Sequence, residues 1–282
     1  MSETLSEGNY AFIIDLDGTI IGDCIYQTEI YKIYLILGKL GIKIKINEIL
    51  EPHYSEKGKL IRPHFSYFIK KMKDAFPNSH FYIYTASEKK WDEKEISLIE
   101  KNLKIKFNRP IFTRNDCEPT KDENGKLSYI KSINRIKRKI KLDNPEIIII
   151  DDKQVYIDNN NRLIKCKLYN YKYFCNYWEF IPIEKIKNQV FIKYLSSLIE
   201  AHRLNPTYII HNMKQKLDYY KWLYKKCKEI NHHNAQYKND EFWLNLTKII
   251  CKYKICNFSE KSVSFIQRSV SNHSTGGVQR VQ

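Results

Sequence analysis

Four short groups of polar side chains could do chemistry in this chain, and three of them follow apolar runs. In chain order those three are Asp15 with Asp17, Thr85, and Asp151 with Asp152. The fourth is Lys131. Carboxylates, water and phosphate oxygens are the ligands that Mg²⁺ prefers. Carboxylates, a hydroxyl and a cation together suit phosphoryl transfer, which needs a positioned nucleophile and positive charge on the equatorial oxygens.

The apolar runs before these groups predict the elements that position them. Residues 11–14, 81–84 and 147–150 form short β-rich runs typical of buried strands. Segments with helical spacing alternate with them, at 26–40, 65–72 and 89–103. This alternation predicts an α/β fold with a parallel sheet. Because active sites form outside the carboxyl ends of parallel strands, we expect the polar groups to meet there.

Further local patterns complete the expected fold. Residues 111–112 indicate another strand, and residues 127–140 a basic helix or helix pair. Ser87 stands where it could cap the helix over 89–103. Beyond Asn205 the chain shows helix-like patterns without a strand pattern.

Composition excludes two broad classes of protein and suggests a partner. Hydrophobic residues make up 43% of the 282 residues and aromatic residues 13%, which excludes disorder throughout. No apolar run approaches the roughly 18 residues of a membrane-spanning helix, so we expect no membrane partner. The net charge of +16 indicates an anionic partner. Seven scattered cysteines and no visible secretory signal predict an intracellular, reducing compartment, cytoplasmic or nuclear.

The same residues carry a family resemblance. The four motifs of the haloacid-dehalogenase (HAD) superfamily resemble, in chain order, the segments DLDGT and YTAS, the basic residue Lys131 and the segment IIIIDD. The segments RPHFSYFIKKMKDAF, FTRNDC, GKLSYIKSI and IIIIDDKQVY look like those of its Fcp/Scp-type members, the RNA polymerase II C-terminal-domain phosphatases and NLI-interacting-factor-like phosphatases. The resemblance covers roughly residues 9–200. Ser132 departs from it, because the family has an aspartate after the lysine.

The resemblance implies a fold, and a shift in composition near Asn205 together with a Ser/Gly/Gln-rich end over 269–282 predicts a division of the chain. We expect a HAD-like Rossmannoid three-layer fold with a central parallel sheet, a minimal cap or none, and a C-terminal helical segment. Residues 1–204 would form the phosphatase domain, 205–268 a basic helical accessory segment and 269–282 a disordered tail. Residues 20–61 leave hardly enough room for a full cap domain, and an open site suits large substrates.

The resemblance also implies catalytic roles. Asp15 would be the nucleophile that forms an aspartyl-phosphate, and Asp17 the general acid and then the general base. Thr85 would hydrogen-bond a phosphoryl oxygen. Lys131 would neutralise developing charge and hold Asp15, although Lys121 and Lys126 are alternatives for this basic residue.

The implied cofactor is Mg²⁺. Asp15, the backbone carbonyl of Asp17, and Asp151 or Asp152 would bind it; we favour Asp152, with Asp151 paired to Lys131. Arg114 is a candidate for touching the substrate phosphate, together with Thr85 and Lys131, although a structural role for Arg114 is the alternative.

The predicted function is that of a Mg²⁺-dependent phosphatase acting on phosphoserine or phosphothreonine in a protein segment. A nucleic-acid 5′- or 3′-end phosphatase of the same fold is an alternative that the positive charge would suit. The other alternative is a catalytically silent binding module, and nucleic acid is not the favoured partner.

Overall fold

The computed structural model describes most of the chain, in ranges that bracket the expected catalytic groups. The described residues are 4–22, 51–55, 58–121, 127–172 and 229–275, with positions 38, 41, 43, 45 and 125. The helix expected over 26–40 lies largely outside them. Residues 205–228, where the expected accessory segment begins, also lie outside the described residues.

The described strands form a four-stranded sheet and a separate hairpin. They are β1 (Tyr10–Ile14), β2 (Ser79–Ile83), β3 (Glu118–Lys121), β4 (Leu127–Ile130), β5 (Glu146–Asp151) and β6 (Leu163–Lys165). The order in the sheet is β2-β1-β5-β6, with every neighbouring pair parallel. Phe12 of β1 lies opposite Phe81 on one side and Ile148 on the other. The predicted α/β fold with a central parallel sheet is confirmed.

Five helices with resolved bounds surround these strands in the described ranges. They are α1 (Phe65–Ala75), α2 (Lys89–Leu103), α3 (Ile133–Lys137), α4 (Phe242–Lys252) and α5 (Glu260–Thr275). Short 3₁₀ helices occupy Glu51–Tyr54, Arg114–Asp116 and Asn160–Arg162. No helix among the described residues is long and apolar enough to span a bilayer.

Helices cover both faces of the sheet, which gives three layers. On one face the ring of Phe12 meets that of Phe68 from α1, with centroids 5.9 Å apart. Trp243 of α4 packs against Phe68 at 4.7 Å. On the other face Ile13 shares an apolar cluster with Ile133 of α3. Successive strand side chains point to opposite faces, so a strand covered on both sides is apolar throughout, as β1 is.

Two local predictions were wrong. Residues 111–112 do not form a strand in the sheet; Phe112 makes only an isolated parallel bridge to Tyr84. The stretch 127–140 is not a continuous basic helix, because its first four residues form β4 and pair antiparallel with β3. Long-range pairing overrides a helix-like pattern in a short segment, and only the five residues of α3 are helical in its second half.

The chain divides differently from the expected boundary at residue 204. One compact unit comprises Met1–Gly22, His53–Asn170 and Asn239–Gln282, and the other Asp23–Pro52 and Tyr171–Lys238. Helices α4 and α5 thus belong with the sheet, because the fully buried Trp243 completes the core beside α1. Residues 269–275, expected to be disordered, continue α5, whose Val270 is buried. In the second unit, Asn234 exchanges two hydrogen bonds with the backbone of Lys172.

Candidate active site

Three carboxylates meet at the carboxyl edge of the sheet, where β1 and β5 end side by side. Asp15 directly follows β1, Asp151 is the last residue of β5, and Asp152 comes next. The backbone N–H of Asp15 donates to the carbonyl of Ile150 over 3.0 Å, which extends the ladder to this point. One oxygen from each carboxylate lies within 4.8 Å of the other two, and all three side chains are buried.

Lys131 bridges two of these carboxylates. Its Nζ lies 2.5 Å from Oδ1 of Asp15 and 2.7 Å from Oδ2 of Asp151. The rings of Tyr84 and Tyr156 flank the ammonium, each with its centroid 5.6 Å away. Burial acts to lower the pKa of Lys131, but the charges of Asp15, Tyr156 and Asp151 and the hydrogen bond to Asp15 together outweigh it and raise that pKa well above its ordinary value. The lysine therefore stays cationic in a site that is only 2% exposed.

The cluster carries more negative charge than Lys131 can neutralise. Burial raises the pKa of Asp15 to about 8; the charge of Lys131 opposes this effect and that of Asp151 adds to it. Burial also raises the pKa of Asp152, and the negative charge of Asp151 raises it further. Buried carboxylate oxygens this close together are the hard donors that Mg²⁺ prefers, and a divalent cation would restore their ionised form. The residues present therefore fit a magnesium site.

Asp17 lies beside the second polar group, and two hydroxyls point at it. Ser87 Oγ donates to its Oδ2 over 2.5 Å, and Thr85 Oγ1 is 3.5 Å from the same oxygen. Unlike its buried neighbours, Asp17 is partly exposed. Burial of the carboxyl still raises the pKa of Asp17, with the Ser87 hydrogen bond opposing the shift. A raised pKa keeps more of the group protonated, as a general acid requires.

Ser87 has a different role from the expected helix cap. Glu88 is the N-cap of α2, and its side chain makes no capping hydrogen bond. Ser87 instead fixes the orientation of Asp17. Sequence reasoning missed it as a site residue; the available signal was its position two residues after Thr85 at the same strand end.

A tight turn after β1 brings Thr19 to Asp152. Gly18 in this turn has φ +84°, and a Cβ there would lie 2.5 Å from a Leu168 methyl and 3.2 Å from the Asp152 carboxyl. Thr19 Oγ1 accepts a hydrogen bond of 3.0 Å from the backbone N–H of Asp152 and lies 3.5 Å from its Oδ1. The glycine is needed for both its conformation and its lack of a side chain, and Thr19 is a second residue that sequence reasoning missed.

Asp158 holds the segment that presents Lys131. Its carboxylate accepts hydrogen bonds from Ser132 Oγ at 2.7 Å, from the Ile133 N–H at 2.7 Å and from the Asn134 N–H at 3.1 Å. Partial burial raises the pKa of Asp158, but these hydrogen bonds outweigh it and lower the pKa below its ordinary value. No local pattern in the sequence marks Asp158, because its partners lie about 25 positions earlier in the chain.

Arg114 and the alternative lysines stand apart from the carboxylates. Arg114 Nε donates to the carbonyl of Ala86 over 2.9 Å, and its guanidinium lies 3.2 Å from Glu88 and over the ring of Tyr129. It therefore adjoins the loop that carries Ser87, without a hydrogen bond to the carboxylate cluster in the described residues. Lys121 is exposed on β3, and Lys126 lies outside the described residues.

A fold of this kind with this set of side chains is that of a HAD-type phosphatase, and comparison with known families agrees. Residues 10–177 match the family model of the NLI interacting factor-like phosphatases. Since that is more than half of the 282 residues, the chain belongs to this family. The resemblance to Fcp/Scp-type phosphatases is thereby confirmed.

Two solved structures are similar to the chain. One is Fcp1, an essential RNA polymerase II CTD phosphatase, with 21% identity and a TM-score of 0.36 over 70% of this chain and 51% of that one. The other is a variant of fission yeast Fcp1 bound to beryllium fluoride, with 16% identity and a TM-score of 0.43 over 96% of this chain and 68% of that one. The chain thus spans about half the length of the first Fcp1 chain. A search of curated proteins found no match to the present chain.

Proposed function

We propose that this chain hydrolyses phosphoserine and phosphothreonine esters in protein segments, with Mg²⁺ as cofactor and Asp15 as nucleophile. Membership of a phosphatase family supports the reaction class. One observation supports the assignment of roles above all others: Lys131 Nζ bridges Asp15 and Asp151 beside a third carboxylate, Asp152. This arrangement holds a carboxylate in one orientation at the carboxyl edge of a parallel sheet, where substrates bind in α/β folds.

The first half of the proposed reaction transfers the phosphoryl group to the protein. A carboxylate oxygen of Asp15 attacks phosphorus, and the bond from phosphorus to the serine or threonine oxygen breaks. The protonated carboxyl of Asp17 gives its proton to that leaving oxygen, so the alcohol departs neutral. The Ser87 hydroxyl, 2.5 Å from Asp17 Oδ2, holds the Asp17 carboxyl in one orientation.

The second half returns the enzyme to its starting state. Asp17, now ionised, takes a proton from a water molecule, and the water oxygen attacks the phosphorus of the acyl phosphate. The bond between phosphorus and Asp15 breaks, and inorganic phosphate leaves. Thr85 and Lys131 donate to the phosphoryl oxygens in both halves, because charge on these oxygens must be met by fixed donors.

The proposed metal ligands are Asp15, Asp152 and the backbone carbonyl of Asp17, with Asp151 held by Lys131 next to them. When bound, Mg²⁺ supplies charge neutralisation between the anionic phosphate and the anionic nucleophile. Thr19 fixes Asp152 through the hydrogen bond from the Asp152 N–H to the threonine oxygen. Arg114 is proposed as a substrate contact, since it is bonded to the backbone beside Ser87.

Phosphate release from a phosphoserine peptide tests the function. Release with Mg²⁺ that stops in EDTA and in Asp15→Asn is the expected result. Oligonucleotides carrying 5′- or 3′-phosphate are assayed in parallel. Faster release from them, with a Michaelis constant that rises steeply with salt, would move the substrate class to nucleic-acid ends. No release from either substrate would favour a binding module. An intracellular, reducing location stays a prediction.

A further inference from the structure

A groove between α1 and α4 takes no part in the proposed chemistry. Its volume is about 500 Å³, within the range of sites that bind ligands. The residues that line it are Leu5, Tyr67, Lys71, Ala75, Thr247, Lys248, Cys251 and Lys252. All of them belong to the compact unit that contains the sheet. We refer to this feature as the α1–α4 groove.

Helical spacing builds the groove from one stripe on each helix. Tyr67, Lys71 and Ala75 are four residues apart along α1, so they lie on one face of it. Thr247 and Cys251 share the same spacing on α4. The floor of the groove consists of small, uncharged side chains, among them the buried Ala75 and Thr247. Tyr67 lies at the side and is 40% exposed. An inserted apolar side chain would therefore gain contact area without displacing a charge.

The rim of the groove is basic. Three of the eight lining residues are lysines and none is acidic. Lys248 and Lys252 are exposed and four residues apart on α4, so both ammonium groups reach the same side of the groove. The nearby acidic group is Asp74, whose Oδ2 lies 3.8 Å from Lys71 Nζ. Within the part of the chain that the structure describes, neither α4 lysine forms an ion pair with an acidic side chain, and both border a groove with net positive charge.

The groove lies at the opposite end of the sheet from the catalytic carboxylates. The backbone N–H of Leu5 donates to the carbonyl of Ala75 over 2.7 Å, and both precede the amino ends of strands, β1 and β2 respectively. Asp15 and Asp151, in contrast, stand at the carboxyl ends. Occupancy of the groove can therefore be changed by mutation without touching the reacting groups.

We propose that the α1–α4 groove binds a short acidic segment of a partner protein that carries a bulky apolar anchor. The apolar side chain would fill the space over Ala75 and Cys251, and flanking carboxylates would pair with Lys248 and Lys252. The stripe from Tyr67 to Ala75 is about 12 Å long, which matches roughly four residues of extended peptide. Charge complementarity decides the occupant, because a basic rim around an uncharged floor favours an anionic chain with an apolar residue.

Direct binding tests the proposal independently of phosphatase activity. The probe is a fluorescein-labelled peptide of Glu and Asp with one central Leu-Phe pair, titrated against the full chain and followed by anisotropy. Control probes replace Leu-Phe with Ser-Ser, or every acidic residue with Lys. We expect the anchored acidic peptide to bind at least about tenfold more tightly than either control. Its affinity should fall as salt rises from about 50 to 300 mM, because the Debye length shortens over this range.

Two pairs of variants locate the binding site. Lys248→Glu with Lys252→Glu reverses the rim charge, and Lys137→Glu with Lys261→Glu makes the same change at exposed positions outside the groove. Cys251→Tyr fills the floor, and Cys256→Tyr adds the same ring at an exposed cysteine that does not line it. Circular dichroism checks that all four fold. The groove variants should lose at least about tenfold in affinity and the outer variants less than about twofold.

Three results would overturn the proposal. One is equal binding of the anchored and Ser-Ser peptides, or of the wild type and both groove variants. Another is the absence of binding by the anchored acidic peptide up to 1 mM. The third is equal loss of affinity in the groove and outer charge variants together with displacement by an oligonucleotide, since that would indicate a diffuse anion-binding surface. None of these outcomes bears on phosphate release, so the proposed function is judged separately.

Discussion

Lys131 Nζ lies 2.5 Å from Oδ1 of Asp15, although the two residues are 116 positions apart in the chain. The lysine ammonium simultaneously contacts Asp151 at 2.7 Å. One buried cation thus fixes the ends of two adjacent parallel strands, β1 and β5, and orients the carboxylate to which the nucleophilic role is assigned. This relationship couples the stability of the sheet edge to the proposed chemistry.

Replacing Lys131 with methionine should harm both properties. The change leaves Asp15 and Asp151 buried without their cation, which we expect to lower the free energy of unfolding by about 3 kcal/mol in EDTA. The rate constant for phosphate release should fall by about 10²–10³-fold, because a fixed donor to the phosphoryl oxygens is lost. Urea unfolding and steady-state kinetics measure the two effects. Lys137→Met, at an exposed position on α3, is the matched control and should change neither.

Replacing Gly18 with alanine should disturb Asp152. The new Cβ would clash with Leu168 at 2.5 Å and crowd the Asp152 carboxyl at 3.2 Å, in a backbone conformation with φ +84°. Gly125 also has a positive φ, +74°, but no atom lies within 4 Å of a Cβ built there. Gly18→Ala should therefore be less stable than Gly125→Ala by about 1–3 kcal/mol, measured by urea unfolding. Equal stabilities would mean that backbone conformation alone explains the glycine.

Replacing Ser87 with alanine should separate acid catalysis from substrate binding. The change removes the 2.5 Å donor to Asp17 but no group assigned to phosphate or metal. We expect kcat for an alkyl phosphate ester to fall by about 10- to 100-fold with little change in KM. An aryl phosphate with a good leaving group needs less help from an acid and should be affected less. Ser128→Ala, on the exposed hairpin strand β4, is the control, and a loss confined to KM would contradict the assignment.

The expected strand ends located the carboxylates and Lys131 was expected to hold Asp15, whereas the supporting residues Ser87, Thr19 and Asp158 escaped prediction. Asp15 and Asp151 each follow an apolar run, so the rule for parallel sheets placed them together. Ser87 was ambiguous, because a hydroxyl before a helix is also a typical cap. Asp158 had no local signal at all, since its three donors begin at Ser132. Such contacts are decided by how distant segments pack, which a one-dimensional pattern does not contain.

The wrong local prediction over 127–140 has a similar origin, and contacts also cross the boundary expected at residue 204. Leu127–Ile130 was read as the start of a basic helix or helix pair over 127–140, but pairing with Glu118–Lys121 makes it a strand. The boundary expected at residue 204 followed a shift in composition. Trp243 nevertheless packs against α1, with its ring 4.9 Å from that of Phe65 and 4.7 Å from that of Phe68. A change in composition marks a domain boundary only when few contacts cross it.

Asp158 should make stability depend on pH. Its folded-state pKa is lowered by the hydrogen bonds from Ser132, Ile133 and Asn134, which outweigh partial burial. A lowered pKa gives stabilisation that is complete above the unfolded-state value of about 3.9 and is lost as the pH falls through the folded-state pKa. The difference in unfolding free energy between the wild type and Asp158→Asn should therefore shrink below about pH 4. A difference that stays constant down to pH 2, or that Asp143→Asn reproduces, would contradict this role.

The covalent intermediate on Asp15 is the central claim, and its direct detection is the most telling measurement. The full chain is mixed with a phosphoserine peptide and Mg²⁺, quenched in acid within a fraction of one turnover, and digested for mass spectrometry. We predict one phosphoryl group on the peptide that contains Asp15, lost on mild alkaline treatment as an acyl phosphate is, and absent from Asp15→Asn. Phosphate release by the wild type without this modification, or release that survives in Asp15→Asn, would contradict the account.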